Sequence, residues 1–140
     1  MSATEKFITH KGCMDGRIQE VVANFLEQQF GGKPDTITLP GIIKILHEGP
    51  EAHPHEWAMM NTARNISAEK HGSNILVISA HKKCAGNPVT DEEQIQQILD
   101  CISRFSTDPE FSGFTVYGVF VDEKDGEWTP RFVREAEATA

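Results

Sequence analysis

The sequence predicts an α/β fold: a single domain with a central, mostly parallel β-sheet flanked by helices, and one antiparallel edge strand from a C-terminal hairpin. Three observations carry this. Short apolar runs alternate along the chain with segments of helical periodicity, the pattern of a parallel sheet covered on both faces. The run Ile75, Leu76, Val77, Ile78 is continuously apolar, as a strand buried on both faces requires. The chain closes on two extended segments around Lys124-Asp125-Gly126, a hairpin signal.

The elements follow in order. Residues 6–13 read as a short strand, although His10 and Lys11 make it more polar than a buried central strand should be. The next segment places Ile18, Val21, Val22, Phe25, Leu26 and Phe30 on one helical stripe, and Gly31-Gly32 ends it. "DTITLPGIIKIL" reads as a second strand with an irregular end at Pro40-Gly41. A loop rich in His, Glu and Pro follows, then a helix from about residue 56 to about residue 70 with a weak apolar stripe, ending at Gly72. After the third strand, Thr90 and Glu93 stand at capping-box spacing before a helix with an inner stripe of Ile95, Ile98, Leu99 and Ile102. The predicted order is β-α-β-α-β-α-β-β, with right-handed crossovers between the parallel strands.

The bulk numbers bound the function. The chain has 140 residues, 39% of them hydrophobic, and suits one compact core. A net charge of −8 argues against a nucleic-acid footprint, which wants a basic face. No apolar run reaches the ~18 residues of a membrane span. The three cysteines, Cys13, Cys84 and Cys101, are odd in number and widely spaced, and no secretory signal precedes them. The expected setting is therefore a reducing cytoplasm, with thiols buried, reactive or metal-bound.

In a parallel sheet the ligand site lies beyond the carboxyl ends of the strands. Two motifs with chemistry fall there: "CMDGR" after the first strand and "HKKC" after the third. If those strands are neighbours, Cys13, His81 and Cys84 converge. Two thiolates and an imidazole suit Zn2+. The fourth position is then water, or it is Asp15. Arg17 can instead hold Asp15 off the metal in a forked ion pair, and exchange between the two arrangements would open and close the site. The charge balance supports such a pair. Two thiolates already cancel the charge of Zn2+, so an unneutralised Asp15 would raise the pKa of a bound water that catalysis needs lowered.

The blander readings apply elsewhere. A lone cysteine is most often a small buried hydrophobe, and Cys101 on the inner side of its helix takes that reading. His53 and His55 offer a second metal pair, but the proline between them favours a solvated loop. His10, His47 and His71 read as surface residues, and Lys82 and Lys83 as solvated cations. No CxxC supports a thiol redox enzyme, and no glycine-rich phosphate loop supports a nucleotide site.

Taken together, "CMDGR" at 13–17 and "HKKC" at 81–84 resemble the C-x-D-x-R and H-x-x-C motifs of the β-class carbonic anhydrases. "ILVISAHKKCAG" is similar to that family's strand into its second motif, and "YGVFVDEKDGEWTPRFV" to its closing hairpin. The resemblance implies one such domain over residues 1–140, with Cys13, His81 and Cys84 as zinc ligands and Asp15 and Arg17 as the gating dyad. It implies reversible hydration of carbon dioxide to bicarbonate, a small-molecule substrate, and a homodimer or higher homo-oligomer. A non-catalytic or regulatory zinc protein, or a hydrolase of COS or CS2, are the alternatives it leaves. "TLPGII" stands where the family has an Asn-Ala-Gly-Asn-like turn, and Ala80 where it often has glycine.

Overall fold

The computed structural model describes residues 5–133. Five strands, β1 (Phe7–Gly12), β2 (Lys33–Thr38), β3 (Ile75–His81), β4 (Thr115–Lys124) and β5 (Glu127–Phe132), form one sheet in the order β2-β1-β3-β4-β5. The first four are parallel and β5 is antiparallel to β4. The hairpin turns through Asp125 (φ 53°) and Gly126 (φ 83°), both left-handed as a two-residue loop of this kind demands. The helices are α1 (Gln19–Phe30), α2 (Ile42–Glu48), α3 (Pro54–Asn65) and α4 (Asp91–Thr107). The predicted α/β class, the parallel sheet and the antiparallel edge strand all stand.

Each face of the sheet has its own core. On one, Ile8, Val77, Val119 and Val121 pack with Ile18, Val22 and Leu26 of the α1 segment. On the other, Leu76, Ile78 and Phe120 meet Ile42, Ile43 and Leu46 of α2, Trp57 and Met60 of α3, and Ile98, Cys101 and Phe105 of α4. The β3 run is buried on both sides, which is why it is continuously apolar. Thr90 caps α4 as its spacing predicts, accepting the Glu93 N–H at 3.1 Å.

Two helical boundaries differ from the sequence reading. "DTITLPGIIKIL" is not one strand: β2 stops at Thr38, the chain turns at Pro40-Gly41, and residues 42–48 form α2. Ile42, Ile43 and Leu46 have the i, i+1, i+4 spacing of a helix, but the run is too short for that period to outweigh its β-branched residues. The following helix starts earlier, with Pro54 in its first turn, and ends as a π-helical turn at Ile66–Lys70. Its buried stripe is Trp57, Met60, Arg64 and Ser67, so half of the inward residues are polar and the apolar period is faint.

The polarity of β1 is also resolved. It lies between β2 and β3, and His10 is 4% exposed rather than a surface residue. Its ring hydrogen-bonds Ser79 Oγ at 2.8 Å and Thr36 Oγ1 at 3.3 Å across the neighbouring strands. Lys11 is wholly buried on the opposite face, its ammonium 5.0 Å from the Phe111 ring centroid and 6.0 Å from that of Trp57. Burial brings the Lys11 pKa down to about 8, with Arg64 adding to the effect.

Burial also lowers the His10 pKa from 6.5 to about 4. The unfolded chain therefore takes up a proton at His10 that the folded one refuses. The stability this gives is present above the unfolded pKa and is lost as pH falls through the folded one, by up to roughly 3 kcal/mol. Urea unfolding of metal-free protein should show a steeper loss of stability over that window than His10→Gln does. Parallel slopes would mean that His10 is protonated in the fold.

Candidate metal centre

β1 and β3 are parallel neighbours, so their carboxyl ends open on the same edge of the sheet. Cys13 is the residue after β1. His81 ends β3, and Cys84 follows a turn in which Lys83 takes φ 61°. The two sulfurs are 3.9 Å apart, and the Cys13, His81 and Cys84 donor atoms all lie within 4.8 Å of one another. All three residues are buried. Among the described residues, no other group of three His, Cys, Asp or Glu has this geometry.

The donor set fits Zn2+. Zinc–sulfur bonds of 2.3 Å in a tetrahedron place two sulfurs about 3.8 Å apart, close to the separation found here. His81 Nδ1 bonds the Lys82 carbonyl at 2.7 Å, which turns Nε2 toward the sulfurs. That Nε2 is buried and has no hydrogen-bond partner, an orphan that a metal would satisfy. Burial opposes a positive charge on His81, but the Cys13 sulfur, the Lys82 carbonyl and Asp15 outweigh it and raise the pKa. Cys84 bonds Cys13 and holds the Cys13 thiol down to about 4, helped by His81 and the Gly41 N–H, while Cys84 itself is pushed up. The pocket thus already favours negative charge on one sulfur.

Asp15 lies at the rim. Its Oδ2 is 3.9 Å from His81 Nε2, too far for a hydrogen bond. Arg17 holds it instead: Nη2 donates to Oδ2 at 2.6 Å, Nε to Oδ1 at 3.0 Å, and the Arg17 backbone N–H to Oδ1 at 2.9 Å. The Arg17 hydrogen bonds keep the Asp15 pKa near 2. All five residues singled out in the sequence therefore meet at one strand edge. Asp15 lies beyond the end of β1 at Gly12, in the segment that leads into the turn at 16–18.

Other candidates lie elsewhere. His53 bonds Glu48 at 2.6 Å, and His55 is exposed in the first turn of α3. Lys82 pairs with Asp91 at 2.9 Å and Lys83 with Glu123 at 2.8 Å. Cys101 is buried among the apolar residues beneath α4, where desolvation pushes its thiol up to about 12.

Three supporting residues escaped the sequence reading. Gln19 donates its side-chain amide to the Cys13 and Asp15 carbonyls at 2.8 and 2.7 Å, pinning the loop that carries both. Gly41 donates its N–H to Cys13 Sγ at 3.4 Å. It also touches Gly86 so closely that a Cβ at Gly41 would sit 2.5 Å from the Gly86 carbonyl carbon. "TLPGII" thus brings backbone to the site where a bulkier turn would not fit. The third, Trp128, lies over Arg17 with the Cζ 4.7 Å from its ring centroid. The Gln19 spacing, four residues after Asp15, was a visible signal; the other two contacts are long-range and had none.

Comparison of folds finds a carbonic anhydrase from Streptococcus mutans at 18% identity, covering 91% of this chain and 81% of that one, with a TM-score of 0.55. Tetrameric β-carbonic anhydrases from the filamentous ascomycete Sordaria macrospora align over 90% of this chain and 81% of theirs, at 13% identity and a TM-score of 0.57. These show that the fold is shared. A sequence comparison with curated proteins finds no match. A family model described as "Putative carbonic anhydrase" matches residues 3–134, and on that match the chain belongs to the carbonic anhydrase family, built on its β-class fold.

Proposed function

We propose that the protein is a zinc-dependent carbonic anhydrase that interconverts carbon dioxide and bicarbonate. The observation that carries this is the buried, orphaned His81 Nε2 facing two sulfurs at zinc-ligand separation. Cys13, His81 and Cys84 would hold the ion. Zinc bound there supplies a Lewis acid that brings the pKa of a water down toward neutrality.

The chain's own residues do the rest. Arg17 draws Asp15 aside and neutralises its charge, so that the carboxylate would not compete for a bound zinc and its negative field would not oppose ionising a water there. With its pKa near 2, Asp15 stays a carboxylate at any working pH, so it accepts hydrogen bonds and aligns the nucleophile rather than giving up a proton. Gly41 N–H and the loop held by Gln19 fix the Cys13 sulfur. Relatives of this fold that are tetrameric support a homodimer or higher assembly of this chain. No helix among the described residues is long and apolar enough to cross a membrane.

One observation favours a second reading. Asp15 Oδ2 is only 3.9 Å from His81 Nε2, so a small rotation would place it on the metal and close the site. That protein would bind zinc without turnover. Stopped-flow hydration of carbon dioxide by zinc-loaded protein, at about pH 7 and about pH 9, decides between them. Rates well above buffer at either pH establish the enzyme. Rates equal to buffer at both, with one zinc bound per chain, establish the closed site.

A further inference from the structure

The hairpin of β4 and β5 approaches the site from the side, and neither sequence motif accounts for what it does there. Glu123 and Trp128 are cross-strand partners in that hairpin. Each reaches a different loop. Glu123 takes the Lys83 ammonium at 2.8 Å, within "HKKC". Trp128 covers the Arg17 guanidinium at 4.7 Å, within "CMDGR". Its ring also meets His81 edge-on, at 6.2 Å between centroids. Arg17 Nη2 closes the circuit by donating to the Lys83 carbonyl at 3.2 Å.

Arg17 needs such support. Its side chain is 49% exposed, and a long arginine paired at the surface gains little and loses rotamer freedom when fixed. A guanidinium lying on an indole face keeps its plane and leaves its edge free to donate. Here that edge is the one turned to Asp15, through Nε and Nη2. We propose that Trp128 is a positioning residue: by stacking on Arg17 it holds the guanidinium in its fork with Asp15 and so keeps Asp15 off the fourth metal position. This rests on the zinc reading above for its consequence, but not for the contact itself. Glu123 fixes the other loop and so holds the Lys83 carbonyl where Arg17 uses it.

Two measurements test this in the full chain, one without metal. The Arg17 Nε–H is observed by nitrogen-15 NMR of metal-free protein and assigned by its loss in Arg17→Lys. Trp128→Leu should speed its exchange with water by about two- to fivefold, the range of one lost cation–π contact at an exposed site, while Trp128→Phe stays near wild type. An unchanged exchange rate in a folded Trp128→Leu protein would overturn the proposal. A Trp128→Phe protein as fast as Trp128→Leu would overturn it too, since an aromatic face under Arg17 would then make no difference. The second measurement is the visible absorption of Co2+-loaded protein, which reports the fourth ligand. Trp128→Leu should move toward the Arg17→Ala spectrum. If it keeps the wild-type spectrum while Arg17→Ala differs, Trp128 does not position the dyad. If the wild-type chain takes up no Co2+, the metal reading fails, and the exchange measurement still decides on Trp128.

Discussion

Cys84→Ser is expected to abolish metal binding, taking zinc from about one ion per chain to a trace, with loss of any carbon dioxide hydration. Two effects add. The substitution removes a thiolate from a three-residue donor set, and a first-sphere loss should exceed the ~10–100-fold cost of disturbing an outer partner. It also leaves His81 Nε2 facing a hydroxyl that zinc prefers far less than sulfur. Metal analysis after dialysis, with melting temperature measured with and without chelator, reads both the occupancy and its linkage to folding. Cys101→Ala is the control, because Cys101 lies beneath α4 in the opposite core. Equal zinc in Cys84→Ser and wild type would sink the proposed ligand set, and a folded wild type that takes up no zinc would sink the metal reading entirely.

That the site was legible at all follows from topology. Cys13 and His81 are far apart in sequence, and they converge only on the condition that the first and third strands are neighbours, which the order β2-β1-β3 meets. The parallel sheet itself was readable from the apolar run at Ile75–Ile78 and from strands separated by helices, both local features with strong physical causes. What stayed hidden was set by tertiary contact. His10 looks like a surface residue until Ser79 and Thr36 of the adjacent strands supply its hydrogen bonds. Lys11 makes the first strand look too polar for a central position until its ammonium is found among aromatic rings. Residues 42–48 look like strand because isoleucine favours strands, and become helix because the turn at Pro40-Gly41 points Ile42, Ile43 and Leu46 at the core together.

The support around the candidate metal centre follows the same division. The proposed ligands and the Asp15–Arg17 pair announce themselves by residue type and spacing. The groups that aim them, namely Gly41, Gln19 and Trp128, act through a backbone N–H, a side-chain amide and a ring face. Gln19 shows itself only by its spacing from Asp15, and neither Gly41 nor Trp128 announces its role in a sequence, since each is useful only from one direction.

Arg17→Ala should leave zinc bound and depress carbon dioxide hydration by roughly 10–100-fold near neutral pH, with part of the loss recovered as pH rises. In the native site the Arg17 hydrogen bonds come first in holding the Asp15 pKa near 2. Without Arg17 the carboxylate returns toward its ordinary value but remains ionised throughout the working range. Its charge at neutral pH is therefore unchanged, and what changes is its partner. A carboxylate 3.9 Å from His81 Nε2, with no cation to hold it, competes for the fourth position. Its competitor is hydroxide, whose concentration rises tenfold per pH unit while that of the carboxylate is constant. The rate deficit should thus narrow toward alkaline pH. If Arg17 served only to hold the loop in shape, the deficit would be the same at every pH. Asp15→Asn in the same background separates the cases further: removing the charge should erase the pH-dependent part of the deficit, even where the loss of alignment keeps the absolute rate low. A rate for Arg17→Ala equal to wild type across the whole profile would show that Asp15 does not approach the metal and that the dyad is not a gate.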